Sequence, residues 1–258
     1  MSTAQLNHPV LKGKFYVYWG WNRAAFTNSD IHLSGSDYNI TLKDVVATDR
    51  QSPFSFKKYF FPTDLSIPQT NFKMGYHLNE KWEASIGFDH MKYVMANDQT
   101  VKISGNIDRP YNTYRGEYNN DDIVLAKSFL RYEHTNGLNY IYAEANRRFA
   151  LISTRTLPFK SQLAFVVGGG FGALRPRTDV HFLGQSGPNV FHIAGWGTHA
   201  KLGLHALMFK RFSILSEIKA GYIDMPNILA TADAQDKASQ HFSYIQANIL
   251  VGATFGFK

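Results

Sequence analysis

The sequence predicts an all-β protein, a closed antiparallel up-and-down barrel of about ten strands. It forms a single domain over 1–258, with 1–13 as an N-terminal lead-in. Three observations carry that prediction. Apolar residues recur at every second position over long runs, which is the period of a strand with one greasy face. Small or polar residues, glycine above all, occupy the positions between them. No segment shows convincing helical periodicity.

The elements follow in chain order. KFYVYWGWNRAAF (14–26) places Phe15, Val17, Trp19 and Trp21 on one face. YNITLKDVVATD (38–49) sets Ile40, Leu42 and Val46 against Asn39, Thr41 and Lys43. NFKMGYHL (71–78) and WEASIGFDHMKYV (82–94) alternate cleanly across a short turn at Asn79–Lys81. IVLAKSFLRYEHT (123–135) and LNYIYAEANRRF (138–149) flank His-Thr-Asn-Gly, which reads as a hairpin corner. QLAFVVGGGFGAL (162–174), FHIAGWGTHAKLGLHALMF (191–209) and FSILSEIKAGYI (212–223) continue the pattern, and HFSYIQANILVGATFGFK (241–258) closes it. Polar connections occupy 27–37, 95–122, 175–190 and 224–240. Long outer loops should alternate with short inner turns, so two successive long links near the N-terminus leave room for strands at 53–61 or 99–107, giving twelve.

Composition narrows the function classes. Aromatics reach 15%, with 20 Phe, 14 Tyr and 4 Trp, beside 20 Gly. Mean hydropathy is −0.26, and no window approaches the roughly 20 apolar residues of a spanning helix. The absence of cysteine excludes disulfide staples and thiolate metal sites. The net charge of +7 is spread thinly, with no basic block that reads as a nucleic-acid footprint; it suits an anionic lipid surface.

An alternating sheet can point its apolar face to a soluble core or to lipid. Three features favour lipid. The strands run to a dozen residues where soluble ones average about 5–6. The face opposite the apolar residues holds Gly75, Gly87, Gly168, Gly170, Gly195, Gly197, Gly203 and Gly221, which leave space in a narrow lumen. Tyr and Trp gather toward strand ends, as an interfacial girdle does. The expected fold is therefore a transmembrane β-barrel. YWGWNR (18–23), DHMKYVM (89–95), YEHTNGLN (132–139) and FHIAGWG (191–197), with the aromatic-ended last strand, resemble Gram-negative outer-membrane barrels. In particular they resemble an uncharacterised Bacteroidota group. Lys258 after Phe257 departs from the terminal pattern. The resemblance implies fold and outer-membrane location and says little about activity. Because MSTAQLNHPVLKGK lacks the apolar centre of a signal peptide, this location implies that a leader was removed.

The same parity nominates an inward polar set: Lys73, His77, Glu83, Ser85, Asp89, Lys127, Arg131, Glu133, Glu144, Arg148, His199, Lys201, His205, Glu217, Lys219, Gln246 and Asn248. Charges of both signs in a narrow barrel must pair, since an unpaired buried ion costs several kcal/mol. The expected interior is a filled polar plug, and the expected role structural or binding through the loops, without enzymatic activity. A lipid-modifying hydrolase is the first alternative. His134 and Thr135 resemble the His-x-Ser-Asn-Gly motif of outer-membrane phospholipase A, with Asp89 a further candidate. The fit is poor, because neighbouring strand residues face opposite sides. A lipid A deacylase would need a His–hydroxyl–acid set on the outer rim, and none is identifiable. A narrow pore and a soluble barrel holding an apolar ligand are the remaining alternatives. His199 and His205 lie about 20 Å apart on one strand, NNDD (119–122) and DAQD (233–236) read as solvated loops, and GGG (168–170) opens no helix. No metal or cofactor is expected; the expected partners are membrane lipid and an envelope protein, not nucleic acid.

Overall fold

A computed structural model of the chain describes residues 11–60, 69–154, 161–233 and 235–256. The strands in order are β1 (Phe15–Phe26), β2 (Ser29–Ser34), β3 (Tyr38–Val45), β4 (Ala47–Thr48), β5 (Thr70–His77), β6 (Trp82–Met91), β7 (Val94–Met95), β8 (Thr100–Ile107) and β9 (Gly116–Val124). Then come β10 (Leu130–Glu133), β11 (Leu138–Thr154), β12 (Ser161–Leu174), β13 (Asp179–Phe182), β14 (Gln185–Ser186), β15 (Gly195–Met208), β16 (Phe212–Leu229) and β17 (Lys237–Phe255). One short helix, α1 (Phe56–Phe60), lies between β4 and β5.

Eight strands close a ring. The order β1-β5-β6-β11-β12-β15-β16-β17 is hydrogen-bonded throughout and β17 returns to pair with β1, all antiparallel. Phe15 pairs with Phe255, so both ends of the ring meet at one rim. The tight turns at 78–81 and 209–211 lie at that same rim. The described parts of the long connections 27–69, 92–137, 175–194 and 230–236 rise at the other.

The all-β up-and-down architecture is as expected, but the ring has eight strands rather than about ten. The two alternating segments at 38–49 and 123–135 are not ring strands. The first is β3, paired with β2 and β8; the second ends β9 and forms β10, which pairs with β13 and β7. Accordingly, residues 134–137 are no hairpin: β11 pairs with β6 and β12. Strand alternation shows that one face is buried in something apolar, but not which apolar medium. The connections expected to be loops are largely sheet. They carry β2, β8, β9, β13, β14 and the upper parts of β16 and β17, so 27–69 and 92–137 each form one excursion at the same rim. Residues 99–107 hold a strand, β8, outside the ring; 56–60 form a helix, with 61 outside the described residues. The closing Phe257 and Lys258, and 1–10 of the lead-in, also lie outside them.

These excursions build a cap. β2, β3, β8 and β9 extend the ring sheet from β17, and a second sheet, β14-β13-β10-β7-β4, faces them. Between them lies an apolar core containing Ile31, Leu33, Ile40, Leu42, Ile103, Phe129, Tyr132, Val180, Phe182, Ile223 and Phe242. The Phe182 ring touches Tyr38 from one sheet and Phe129 from the opposite side, at centroid distances of 4.8 and 5.6 Å. The cap is thus a packed two-layer structure that burial of apolar surface can stabilise.

Candidate functional site

Inside the ring, four cations and four carboxylates are buried together: Lys73, Arg148, Lys201 and Lys219 with Glu83, Asp89, Glu144 and Glu217. Two lysines and two glutamates alternate at the centre. Lys73 Nζ lies 2.9 Å from Glu144 and 3.2 Å from Glu217; Lys201 Nζ lies 2.7 Å from Glu144 and 2.9 Å from Glu217. These side chains come from β5, β11, β15 and β16. β5 and β16 are three steps apart around the ring, yet Lys73 and Glu217 meet, so the side chains span the lumen.

Further contacts continue on either side. Lys219 and Asn71 donate to Asp89, and Tyr142 OH reaches it at 3.1 Å. His199 bridges Glu144 at 3.2 Å and Tyr140 OH at 3.0 Å. The Glu83 carboxylate lies 3.2 Å from His77 Nδ1 and 3.6 Å from Arg148, and His205 meets Tyr18 OH at 2.8 Å. Asn248 donates to Glu217 at 3.1 Å. Glycines make the space: a Cβ on Gly87 would come within 2.3 Å of the Tyr142 ring, and one on Gly221 within 2.6 Å of Tyr244. Each tyrosine lies flat across a strand that has no side chain there.

Three residues nominated for the interior lie elsewhere. Lys127 is exposed in the link before β10. Arg131 and Glu133 are on β10 in the cap, bound to Asp179 and to Arg50. Leu130 and Tyr132 face the cap core there, and Arg131 between them is half-exposed. His134 is buried in the cap with Nδ1 2.8 Å from the Thr178 hydroxyl, while Thr135 donates to Glu133 at 3.2 Å. Asp89 is committed to the ring interior, so the three do not converge as nucleophile, base and acid. Burial holds the His134 imidazole down at about 4. Among the described residues, no group of three or more His, Asp or Glu is placed to hold a metal ion.

Outside the ring the polarity reverses. Phe72, Ile86, Ile141, Phe149, Phe171, Leu202, Leu204, Ile218, Ile245 and Ile249 are all exposed, drawn from β5, β6, β11, β12, β15, β16 and β17. Aromatics edge this belt, with Phe15, Trp82, Phe212 and Phe255 at the short-turn rim. Arg147 lies there over Trp82 and Phe149, at 5.6 and 5.1 Å.

Several surface cavities break the wall among the described residues. A groove of about 570 Å³ lies where residues 51–59 fold against β1, β16 and β17, lined by Trp21, Arg23, Phe54, Tyr59, Ile218 and Ile249 among others. A second, about 550 Å³, sits where ring meets cap, with His90, Lys92, Asn139 and Arg177 in its lining. Neither was visible as alternation; the one signal was the aromatic–basic run PFSFKKYF at 53–60.

No protein-family model matches the chain, and no curated protein matches it. Among solved structures, it is similar to outer-membrane barrel proteins of Gram-negative bacteria. Ail, the attachment invasion locus protein of Yersinia pestis, is 13% identical with a TM-score of 0.35, covering 95% of this chain and 99% of Ail. The outer membrane protein OprG from Pseudomonas aeruginosa is 11% identical with a TM-score of 0.38, covering 97% and 100%. The outer membrane protein AlkL is 10% identical with a TM-score of 0.39, covering 100% and 95%.

Proposed function

We propose that the chain is an integral outer-membrane barrel, closed to ions, that carries an ordered cap as a binding platform at the membrane surface. One observation carries the membrane reading: large apolar side chains encircle the ring on its outside while ionised groups fill its inside. A soluble barrel has the opposite arrangement. On β17 the apolar outward run from Ile245 to Phe255 covers about 34 Å of strand, roughly 25 Å along the normal at a tilt near 45°. That matches the thickness of an outer-membrane apolar band. The Bacteroidota resemblance of the sequence is compatible with this reading.

The closed-lumen reading rests on the Lys73–Glu144–Lys201–Glu217 arrangement, in which equal numbers of opposite charges meet across the ring. A passive pore would leave such groups lining water. The binding role rests on the cap, whose packed core holds its outer surfaces in fixed geometry, and its partner would be an envelope protein or lipid. The His134–Thr135 pair does not support lipid hydrolysis, because His134 is sealed beside Thr178 in the cap core. Two measurements test the proposal together. The protein should require detergent to remain monodisperse, and purified protein in planar bilayers should give no ohmic current. Stable solubility without detergent would refute the membrane reading; steady unitary conductance would refute the closed lumen.

A further inference from the structure

The groove beside α1 has two features that an ordinary stretch of lipid-facing wall lacks. It is a cleft with walls on two sides: β1, β17 and β16 supply Trp21, Ala247, Ile249 and Ile218, and the chain at 51–59 supplies Phe54 and Tyr59. Tyr59 is fixed in place by its hydroxyl, which donates to Ser52 O at 2.9 Å. Phe54, 76% exposed, packs its ring 5.3 Å from Tyr59. A chain of methylenes is the complementary occupant of such a lining.

The second feature is charge. Arg23 lines the groove and is exposed, and Lys57 and Lys58 stand on α1 beside Tyr59. Two carboxylates adjoin the groove: Glu217 in its lining, held by Lys73, Lys201 and Asn248, and Asp49, which takes Gln51, Gln69 and the Ala24 amide. Arg50 is held by Glu133 at 3.1 Å. Height in the wall agrees. Ile249 lies four residues below Ile245, the last apolar outward residue of β17, which is about 10 Å from the upper edge of the belt. An acyl chain at Ile249 would place its headgroup level with Arg23 and α1.

We propose that this groove is a specific site for one anionic phospholipid, its acyl chain between the ring wall and residues 51–59 and its phosphate at Arg23, Lys57 and Lys58. The site rests on the membrane reading above. It differs from general contact with bilayer lipid in being selective for headgroup charge at one place on the wall.

The test uses the full-length chain refolded into vesicles of phosphatidylcholine containing a minor fraction of brominated lipid, either phosphatidylglycerol or phosphatidylcholine. Each protein keeps a single tryptophan, with the other three replaced by Phe. With Trp21 alone, brominated phosphatidylglycerol should quench at about fivefold lower mole fraction than brominated phosphatidylcholine, the scale of one cation acting on an anionic lipid. With Trp196 alone, which reports the wall elsewhere, the two lipids should quench alike. Combining Arg23→Gln, Lys57→Gln and Lys58→Gln should bring the Trp21 ratio to about one.

Equal quenching of Trp21 by both lipids overturns the site. So does an equal phosphatidylglycerol preference at Trp196, which would mean diffuse attraction. Trp21 quenched less than Trp196 by both lipids would place protein, such as a second copy, in the groove. Absence of quenching at Trp196 by either lipid would instead remove the membrane reading itself. If a single-tryptophan chain does not refold, native mass spectrometry of the unmodified protein decides. Retention of phosphatidylglycerol over phosphatidylcholine that is lost in the triple variant supports the site, and equal retention refutes it.

Discussion

β17 runs for nineteen residues, Lys237–Phe255, and passes through two chemically opposite environments without a break in its alternation. In the cap, its inward residues Ala238, Phe242 and Tyr244 are apolar, with Gln240 among them bonded to the Ser29 and Tyr93 hydroxyls, and its outward residues Lys237, Ser239, His241 and Ser243 are polar. In the ring, the inward residues Gln246, Asn248 and Thr254 are polar, with Leu250 the apolar exception, and Ile245, Ala247, Ile249 and Val251 outside are apolar. β16 changes over at the matching height. Lys219 and Glu217 face inward below, Ile223 and Met225 above. The backbone is the same in both halves, so strand geometry does not choose which face is greasy. The surrounding medium does: water outside the cap leaves only its inside for apolar groups, whereas lipid outside the ring lets its interior be polar.

The largest effect should come from breaking the ring interior. Lys201→Met removes the cation shared by Glu144 and Glu217, leaving two buried carboxylates around Lys73 alone. Removing one partner of a buried ion pair costs about 3–5 kcal/mol. Urea titration of protein folded in vesicles should show that loss. Pairing it with Glu217→Gln should recover part of it, because the two changes share one network. Strictly additive losses would argue that the four groups do not act as a unit.

A pair of identical substitutions on β17 sharpens the contrast. Ile249→Arg places a charge on the lipid face near mid-belt, where about 2–4 kcal/mol is expected. Ser243→Arg, six residues earlier on the same outward face, should change stability by no more than about 0.5 kcal/mol. Similar losses at both positions would mean that the belt does not end between them.

The sequence exposed the alternation, and with it the barrel; of the inward polar set read from it, Lys127, Arg131 and Glu133 lie outside the ring. It did not separate ring from cap. YNITLKDV alternates as well as any ring strand, yet Ile40 and Leu42 pack into the cap core. Polarity inversion within one strand was readable in HFSYIQANIL, since Phe242 and Ile245 fall on opposite faces. Recognising it required knowing that two media were present. Pairing across the lumen, such as Lys73 with Glu217, depends on ring closure at β1 and β17, which no local pattern encodes. The groove at 51–59 depends on a segment folding back over its own wall.

The cap should respond to acid through His134. His134 is buried neutral beside Thr178, with its pKa lowered to about 4 from the ordinary 6.5. The unfolded chain therefore binds a proton between those values that the folded cap does not, so stability falls as pH drops from 6.5 to 4. The span corresponds to about 3 kcal/mol at the acid end. Hydrogen exchange of cap amides should accelerate over that window, and His134→Gln should flatten the dependence. Equal acceleration in both regions would mean that cap and ring open together.

The smallest expected effect lies at the cap's edge. Arg109 grips Asp37 with two hydrogen bonds, at 2.7 and 2.8 Å, joining the β8–β9 link to the turn before β3. The Arg109 guanidinium holds the Asp37 carboxyl below its ordinary range. The pair's contribution is therefore present above the unfolded Asp pKa and lost as pH falls through the lower folded value. Both side chains are partly exposed, so solvent screening keeps the gain to about 0.2–1 kcal/mol. Arg109→Ala should shift cap exchange by that much at neutral pH, by less in high salt, and by nothing once Asp37 is protonated. A loss well above 1 kcal/mol would show that the cation–π contact of Arg109 with Tyr38, at 5.6 Å, anchors the cap more than the ion pair does.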